Sequence, residues 1–565
     1  VGRASASQAE GRGFESRFPL KKRGQMASFF LYNIESTSYA RLHCEKINCR
    51  QSVQLLKFHV YTLSYLKNGL YLLLKRILAF TLVQEKSQTS TDFPGYSVWL
   101  VAAIVLVVKL ALYPFSQQVA ADAVSRILTS EAWAADPHWI VTGVWAPFHY
   151  YLNGLVMLIF QSRLAGPVLV NILLSVLTLI PLYHFTRREF SHNGAVAVAF
   201  FFAISPVVFR YSFLVMAETP ALFFIALAMN QLSMALRNLK WKDFVLAGFF
   251  LTLASGFRYE AWLLIVLFGL LILIHGRRKQ ALVFGLAASV FPLTWMIQNY
   301  LATGDAMYSI SANSRWTLDV MGTNKQVDFE AMLRRIWFFP FSWLIAFGPP
   351  LAWIVARQMI RMPGRENFNR HEARWMLPFA IFLLVMIYNS VSGKLLLHQR
   401  FSMTPVLLSI PFAAPWFSVL NRSKIRKMFL FGLITIALSM LYTIGGVKPL
   451  PRLKDQRIVQ FSRNLIPALS PDDLLVVDFA GWENTFYLGL QSGKGRDQLI
   501  LLEGSSPEAI PQQRIREMIE DRRHIVFLIN NGSSLSGLMP ELTPSGADTL
   551  LQDPDIRLTL IRPDI

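Results

Sequence analysis

Long apolar runs separated by short basic connections constrain this chain more than any other feature of its sequence. From Val98 onwards, apolar stretches of about 20 residues recur, which is the length that an α-helix needs to cross the hydrocarbon core of a bilayer. Hydrophobic residues make up 53% of the chain and charged residues only 16%. The sequence therefore predicts a polytopic α-helical membrane protein with about 11 spans. We place them near residues 97–114, 166–186, 194–211, 218–236, 243–257, 260–275, 281–300, 337–356, 375–392, 403–420 and 428–446.

The basic residues determine the expected orientation of these spans. They cluster in alternate connections, as expected for loops that face the cytoplasm: residues 187–188, 237–242, 277–279, 357–374 and 422–427. Much of the net charge of +20 lies in these connections and not in one soluble patch, so the charge is weak evidence for nucleic-acid binding. To keep this orientation, the aromatic segment 145–160 must lie along the outer surface instead of spanning. A site for an external substrate is then expected at the outer ends of the spans.

Two regions flank the predicted spans. Residues 1–92 are basic and contain no clean span, and we expect a disordered extension or a start codon assigned too far upstream. Cys44 and Cys49 lie there, without a second pair to complete a zinc site. After Gly446, the short apolar runs LLVVDFA, QLILLEG and HIVFLIN, with the helical pattern PEAIPQQRIREMIEDRR between the last two, predict a small α/β domain. The predicted divisions are an extension at 1–92, a membrane core at 93–446 with an outer loop at 115–165, and an extracytoplasmic α/β domain at 447–565.

The first outer loop has an unusual composition for a connection. The segment Asp122–Gly154 combines an early carboxylate, an arginine one helical turn later, several tryptophans and the cluster WAPFHYYLNG. Asp122 could accept a proton from an attacking hydroxyl, although an Asp that only begins a helix would give the same pattern. Arg126 is placed either to pair with Asp122 or to hold a phosphate, and the spacing alone favours the ion pair. His149 and Tyr150 are candidates to contact a substrate.

Further candidates lie at the predicted outer ends of later spans. Glu218 begins a span in LVMAETPALFF, where an acid next to the bilayer indicates a site and an ordinary helix-starting acid is the alternative. Arg258 and Glu260 occupy the turn in GFRYEAW, and His398 and Arg400 precede a proline-interrupted span. With the outer loop, two acids and three arginines gather on one membrane face. This indicates a cavity for an anionic, membrane-bound substrate.

The order of these features resembles the C-type glycosyltransferase superfamily, which uses polyprenyl-phosphate sugars. The closest likeness is to the protein O-mannosyltransferase and lipid A aminoarabinose transferase group. The likeness rests on Asp122 with WAPFHYYLNG, on the acid-Thr-Pro at 218–220, on GFRYEAW and on HQRFSMTPVLLSIP, and it covers roughly residues 97–446. Three departures are Ala123 in place of a second acid, the position of Arg126 one residue late, and Glu218 in place of Asp.

The resemblance implies transfer of a sugar from an undecaprenyl- or dolichyl-type phosphate to a hydroxyl of a lipid, glycan or protein, at the outer face of the bacterial inner membrane. In this scheme Asp122 is the base or orients the acceptor, and Glu218 assists it. Arg126, Arg258 and Arg400 stabilise the leaving phosphate, and Glu260, His149, Tyr150 and His398 line the substrate site. A divalent cation is the one cofactor left open, and a single acid in the loop makes a tight site unexpected.

Two alternatives need no sugar transfer. A flippase or transporter for lipid-linked sugars would use the same basic cavity, but its polar residues should recur at mid-span within broken helices. An assembly subunit whose outer domain binds a partner needs no catalytic acid. The candidate acids and arginines gather at the outer ends of the spans, which favours the enzyme.

Overall fold

The computed structural model of the protein describes residues 97–418, with gaps at 114–115, 117–120, 193, 320–328 and 362–369, and parts of 426–563. The extension predicted at 1–92 and the helix predicted at 507–523 lie outside the described residues. The α-helices of the described membrane core are α1 Ser97–Leu112, α2 Ala121–Ala135, α3 Phe148–Phe160, α4 Ala165–Leu177, α5 Leu179–Glu189, α6 Ala195–Ile204, α7 Pro206–Tyr211, α8 Glu218–Asn238, α9 Trp241–Phe257, α10 Glu260–Ile274, α11 Arg278–Ala288, α12 Val290–Thr303, α13 Tyr308–Asp319, α14 Phe329–Phe347, α15 Pro349–Arg361, α16 Arg370–Val391, α17 Met403–Ser409 and α18 Ala414–Ser418.

Several of these helices are long and apolar enough to cross a bilayer. Among the described residues, three meet this condition: Ala165–Glu189, which joins α4 and α5, Glu218–Asn238 and Arg374–Val391. The number rises to 5 if the bent pairs α11–α12 and α14–α15 each count as one span. Other apolar helices, α1 and α10 among them, are shorter, with 10–17 residues each. The predicted helical membrane fold is therefore confirmed, and the total of about 11 spans stays a prediction.

Several predicted spans are divided between shorter helices, among them 194–211, 281–300, 337–356 and 403–420. For 403–420 this agrees with the proline-interrupted span that the sequence predicts. The segment 337–356 is divided between α14 and α15, which meet at an angle of 112° around Gly348. Gly348 has a φ of 77°, the left-handed conformation that ends helices, and two prolines then begin the next helix. The segment 403–420 begins with α17, a 3-10 turn at Ile410–Ala413 and α18, because its prolines remove helical hydrogen-bond donors.

Glycines let the outer helices approach one another closely. A Cβ at Gly154 of α3 would lie 2.3 Å from the ring of Trp133 on α2. A Cβ at Gly256 of α9 would lie 2.2 Å from the ring of Phe148, the first residue of α3. Both distances are shorter than non-bonded contacts between carbon atoms, so neither glycine can be replaced by a larger residue unless the neighbouring side chains move. The two glycines therefore hold α3 against α2 and against the end of α9.

The C-terminal part contains the small sheet that the sequence predicts. Three strands correspond to the three apolar runs, and the full set is β1 Leu474–Val477, β2 Leu499–Leu501, β3 Ile525–Asn530, β4 Ala547–Asp553 and β5 Leu558–Pro563. Their order is β2-β1-β3-β5-β4, with β1 parallel to both β2 and β3 and with the pairs β3–β5 and β4–β5 antiparallel. All four residues of β1 are buried, as expected for a central parallel strand covered on both faces.

Candidate active site

Three carboxylates lie in the first turns of three different helices. Asp122 begins α2, Glu218 begins α8 and Glu260 begins α10. The unpaired backbone N–H groups and the dipole at a helix N-terminus stabilise negative charge there. In α8 the first turn also contains Pro220, which costs nothing because that turn has no N–H partner to lose. Each acid is therefore placed at a helix start by its local sequence. For Asp122 and Glu218, a helix-starting acid was the alternative to a functional role.

Two arginines join these carboxylates into one cluster, which we call the ion network: Asp122, Glu218, Arg258, Glu260 and Arg400. Arg400 forms an ion pair with Asp122, and its Nε lies 3.4 Å from Oε1 of Glu218. Arg258 donates from Nη1 to the same Glu218 oxygen at 2.9 Å and from Nε to Oε2 of Glu260 at 3.0 Å. The Glu218 side chain is only 5% exposed. The structure thus brings together five candidates that are up to 278 residues apart in sequence.

Short breaks between helices position the two arginines. Arg258 is extended, with φ −145° and ψ 132°, between the end of α9 and the start of α10. Arg400 lies in a 3-10 turn at Gln399–Ser402, whose first residue follows His398. Nδ1 of His398 accepts a hydrogen bond from the backbone N–H of Arg400 at 3.3 Å. Both guanidinium groups lie 5.2 Å from the ring centre of Phe401, a distance at which each makes a cation–π contact.

Burial and the charges of the ion network together determine the protonation of Asp122 and of the neighbouring His398. Burial raises the pKa of the Asp122 carboxyl, but Arg400 and then Arg126 outweigh this effect, so that its pKa lies below the usual value. Asp122 is therefore ionised at neutral pH. Burial, reinforced by Arg400, lowers the pKa of His398 to about 4. His398 is consequently a neutral hydrogen-bond acceptor, and it positions Arg400 without adding a positive charge.

Arg126 lies inside the same region and forms no ion pair within the part of the chain that the structure describes. It is 2% exposed, and its Nε and Nη1 have no hydrogen-bond partner among the described residues. Its guanidinium carbon lies 4.6 Å from the ring centre of Trp145. The local spacing favoured an Asp122–Arg126 pair, and this expectation is wrong because Asp122 is paired with Arg400 instead. An unpaired buried guanidinium is costly, which makes Arg126 a strong donor for an anion.

His149 and Tyr150 of α3 are buried but stand outside the ion network. The amide nitrogen of Asn153 lies 2.9 Å from Nε2 of His149, one turn further along α3. Tyr150 is 6% exposed and lies within electrostatic range of Arg126 and Asp122. His149 is likewise within electrostatic range of Arg126 and of Arg258, so both residues of α3 lie near the charges that a substrate would meet.

The space beside the ion network is small. A cavity of about 20 Å³ is lined by Glu218, Arg258, Glu260 and Arg400, together with apolar residues. A cavity of this volume holds about one water molecule. A sugar phosphate therefore needs the arginine side chains or the surrounding helices to move before it can bind here.

The sequence leaves open whether the protein binds a divalent cation, and the carboxylates of the ion network are the candidate ligands. Among the described residues, no group of three or more His, Cys, Asp or Glu side chains is arranged to hold a metal ion. Asp122, Glu218 and Glu260 each contact a guanidinium group, so their oxygens do not form the all-oxygen shell that Mg²⁺ or Ca²⁺ requires.

Sequence reasoning missed two polar residues near this region. Lys109 of α1 is 1% exposed, and its Nζ donates to Oγ of Ser175 at 2.8 Å and to Oγ of Ser212 at 2.9 Å. A lysine within an apolar helix indicates a polar partner or a functional site. The Oη of Tyr211 lies 3.4 Å from Nδ1 of His398. No local pattern predicts that contact, because the two residues are 187 positions apart.

Comparisons with known proteins agree with this architecture. Residues 144–298 match the family described as dolichyl-phosphate-mannose-protein mannosyltransferase. The crystal structure of ArnT from Cupriavidus metallidurans bound to undecaprenyl phosphate is 13% identical, with a TM-score of 0.56 over 82% of this chain and 97% of that chain. The apo structure of the same protein gives 12% identity and a TM-score of 0.57 over the same shares. No curated protein sequence matches the chain. The resemblance to the C-type glycosyltransferase superfamily is confirmed by the family match and at the level of the fold.

Proposed function

We propose that this protein is a membrane glycosyltransferase that moves a sugar from a polyprenyl-phosphate carrier to an acceptor hydroxyl. The observation that carries the proposal is the ion network at the ends of apolar helices. Beside it lies the buried guanidinium of Arg126, whose Nε and Nη1 have no hydrogen-bond partner among the described residues. Such a site suits a substrate that is anionic and membrane-bound. The ArnT-like fold and the match to a mannosyltransferase family support the same class of donor.

The proposed reaction is a displacement at the anomeric carbon of the sugar. The acceptor oxygen forms the new bond to that carbon, and the bond from the carbon to the phosphate oxygen breaks. The phosphate leaves with the bonding electron pair, and the hydroxyl proton passes to Asp122. While Arg400 is paired with it, Asp122 has a lowered pKa and is a weak base. Asp122 therefore orients the acceptor first and takes the proton once Arg400 turns to the phosphate.

The arginines have separate tasks in this scheme. Arg126 binds the carrier phosphate first, since its guanidinium is not already neutralised by a carboxylate. Arg258 and Arg400 are held by acids, and they exchange these partners for phosphate oxygens as charge develops. Glu218 and Glu260 hold the two arginines in place before the donor enters. Tyr150 contacts the sugar or acceptor from α3, while His149 and His398 position their neighbours.

The location of the reaction follows from the predicted orientation of the spans. We propose that residues 93–446 form the membrane core in the bacterial inner membrane. The ion network and the domain at 447–565 then face the extracytoplasmic side. The basic connections then face the cytoplasm. The donor sugar is hexose-like, as in the mannosyltransferase family, and the acceptor is a hydroxyl of a lipid, glycan or protein.

The experiment is transfer of radiolabelled sugar from polyprenyl-phosphate donors by the purified protein in lipid nanodiscs. We expect Asp122→Asn to lower the rate of transfer by about 10²–10⁴, the contribution of a positioned acid or base. Glu131→Gln is the matched control: it lies on the same helix and breaks the separate pair with Arg163, and it should retain nearly full transfer. A well-folded Asp122→Asn variant with wild-type transfer would refute the role of Asp122.

A second arm separates binding of the carrier from its chemistry. Arg126→Gln should weaken binding of undecaprenyl phosphate, whereas Arg163→Gln should leave it unchanged. Saturable binding of the lipid without transfer from any donor would instead support a flippase or transporter.

A further inference from the structure

A second concave feature lies on the surface of the hairpin formed by α10 and α11, away from the ion network. It is a groove of about 410 Å³, which falls within the range of roughly 300–1,000 Å³ that is typical of ligand sites. We call it the hairpin groove. Its lining includes Val266, Gly269, Leu270, Leu273, Leu282 and Arg278.

A missing side chain creates much of this groove. A Cβ built at Gly269 meets no atom within 4 Å, so the backbone of α10 forms an open floor there. The walls are aliphatic and remain accessible: Val266 is 58% exposed and Leu282 is 64% exposed. In a membrane protein such a surface faces lipid chains, because water would leave it unfavourably solvated. The shape and the apolar lining of the hairpin groove therefore suit a hydrocarbon chain.

The charge at one end of the groove is strongly positive. The turn between the two helices carries Arg277, Arg278 and Lys279, all of them exposed, and Arg278 itself lines the groove. No acidic residue occurs in the sequence between Glu260 and Asp305, so neither helix offers a carboxylate along the hairpin to neutralise them. Basic residues at this level attract anionic lipid headgroups.

The dimensions fit one leaflet of a bilayer. From Val266 to Leu273 the groove follows seven residues of α10, or about 10 Å at the rise of an α-helix. This is about a third of the hydrocarbon core. The cationic end lies at the C-terminal end of α10, whereas Glu260 of the ion network lies at its N-terminal end. The groove thus opens to the leaflet opposite the candidate active site.

We propose that the hairpin groove binds one anionic phospholipid, with an acyl chain over Gly269 and the headgroup phosphate on Arg278. The positive charge at the mouth favours an anionic headgroup over a zwitterionic one, whereas the apolar length behind it accommodates the acyl chain. The site is independent of the proposed sugar transfer, because it shares no residue with the ion network. It anchors the α10–α11 hairpin in its leaflet.

Native mass spectrometry of the full-length protein in detergent tests this proposal. The protein is titrated with phosphatidylglycerol and, in parallel, with phosphatidylcholine. Gly269→Leu fills the groove and should weaken binding of the first phosphatidylglycerol on the order of tenfold. Gly285→Leu is the matched control, since Gly285 lies on α11, outside the groove lining, and also has open space at its Cβ. Both substitutions replace a helical glycine by a good helix former, so they should affect folding alike.

A charge variant tests the headgroup contact. Arg278→Gln should weaken phosphatidylglycerol binding about fivefold, as expected for one basic residue near an anionic lipid, and should leave phosphatidylcholine binding unchanged. Arg277→Gln carries the same change of charge outside the groove lining and should have the smaller effect. Equal binding by the Gly269→Leu and Gly285→Leu variants, or equal affinity of the wild type for both lipids, would overturn the proposal. If either leucine variant does not fold, the Gly269→Ala and Gly285→Ala pair makes the same comparison.

Discussion

Glu218→Gln is the substitution that tests the ion network most directly. Oε1 of Glu218 lies 2.9 Å from Nη1 of Arg258 and 3.4 Å from Nε of Arg400. Glutamine keeps the shape of the side chain and one acceptor oxygen, but it removes the charge that lies between two guanidinium groups. The two arginines would then repel each other in a buried site, with only their outer carboxylates left as partners.

The expected cost follows from the burial of the three groups. The side chains are 5% exposed for Glu218, 15% for Arg258 and 10% for Arg400, so solvent screens them little. Removing one partner of a buried ion pair typically costs about 3–5 kcal/mol. In the variant, Glu260 still pairs with Arg258 and Asp122 still pairs with Arg400. We therefore expect a cost at the lower end of this range, that is, a free energy of unfolding lowered by about 3 kcal/mol.

The assay is unfolding of the purified protein in mixed detergent and SDS micelles, followed by tryptophan fluorescence. A double-mutant cycle with Arg258→Gln should give a coupling free energy of about 2 kcal/mol, as found for residues in one ionic network. Arg237→Gln is the control, because Arg237 is 55% exposed in its pair with Glu189, and it should cost at most about 1 kcal/mol. A cost for Glu218→Gln no larger than that of the control, or a coupling near zero, would refute the reasoning.

Three further outcomes are expected in the same detergent. Lys109→Met should change the free energy of unfolding by less than about 1 kcal/mol, because an apolar isostere avoids burying a charge; a loss as large as that of Glu218→Gln would contradict this. The pKa of His398 is about 4 in the folded protein, against the usual 6.5, so in that window the unfolded state binds the extra proton and stability rises with pH. His398→Gln should flatten this rise in the melting temperature, and an unchanged profile would argue against it. Gly256→Ala should cost about 1–3 kcal/mol because its Cβ meets the Phe148 ring, whereas Gly285→Ala, with open space, should be neutral or stabilising in a thermal melt.

Much of the local structure could be predicted from the sequence because it depends on neighbouring residues. Apolar runs of helical length gave α1, α8, α9 and α10 to within two residues at each end, and β-branched runs gave strands β1, β2 and β3. The same reasoning placed Asp122, Glu218 and Glu260 at helix starts, where the dipole favours acids. Prediction failed at Gly348, since hydropathy averages over a window and does not detect a left-handed residue that turns the chain.

The pairing of the charges depends on how the helices pack. Hydropathy and charge patterns along the chain were enough to predict a helical membrane protein with acids and arginines at the ends of its spans. Spacing then favoured Arg126 as the partner of Asp122, whereas the fold gives that place to Arg400, 278 residues away. Among the described residues, Arg126 is left without an ion pair. Ion pairs depend on distance and burial, and helices that are remote in sequence set both only once they pack together.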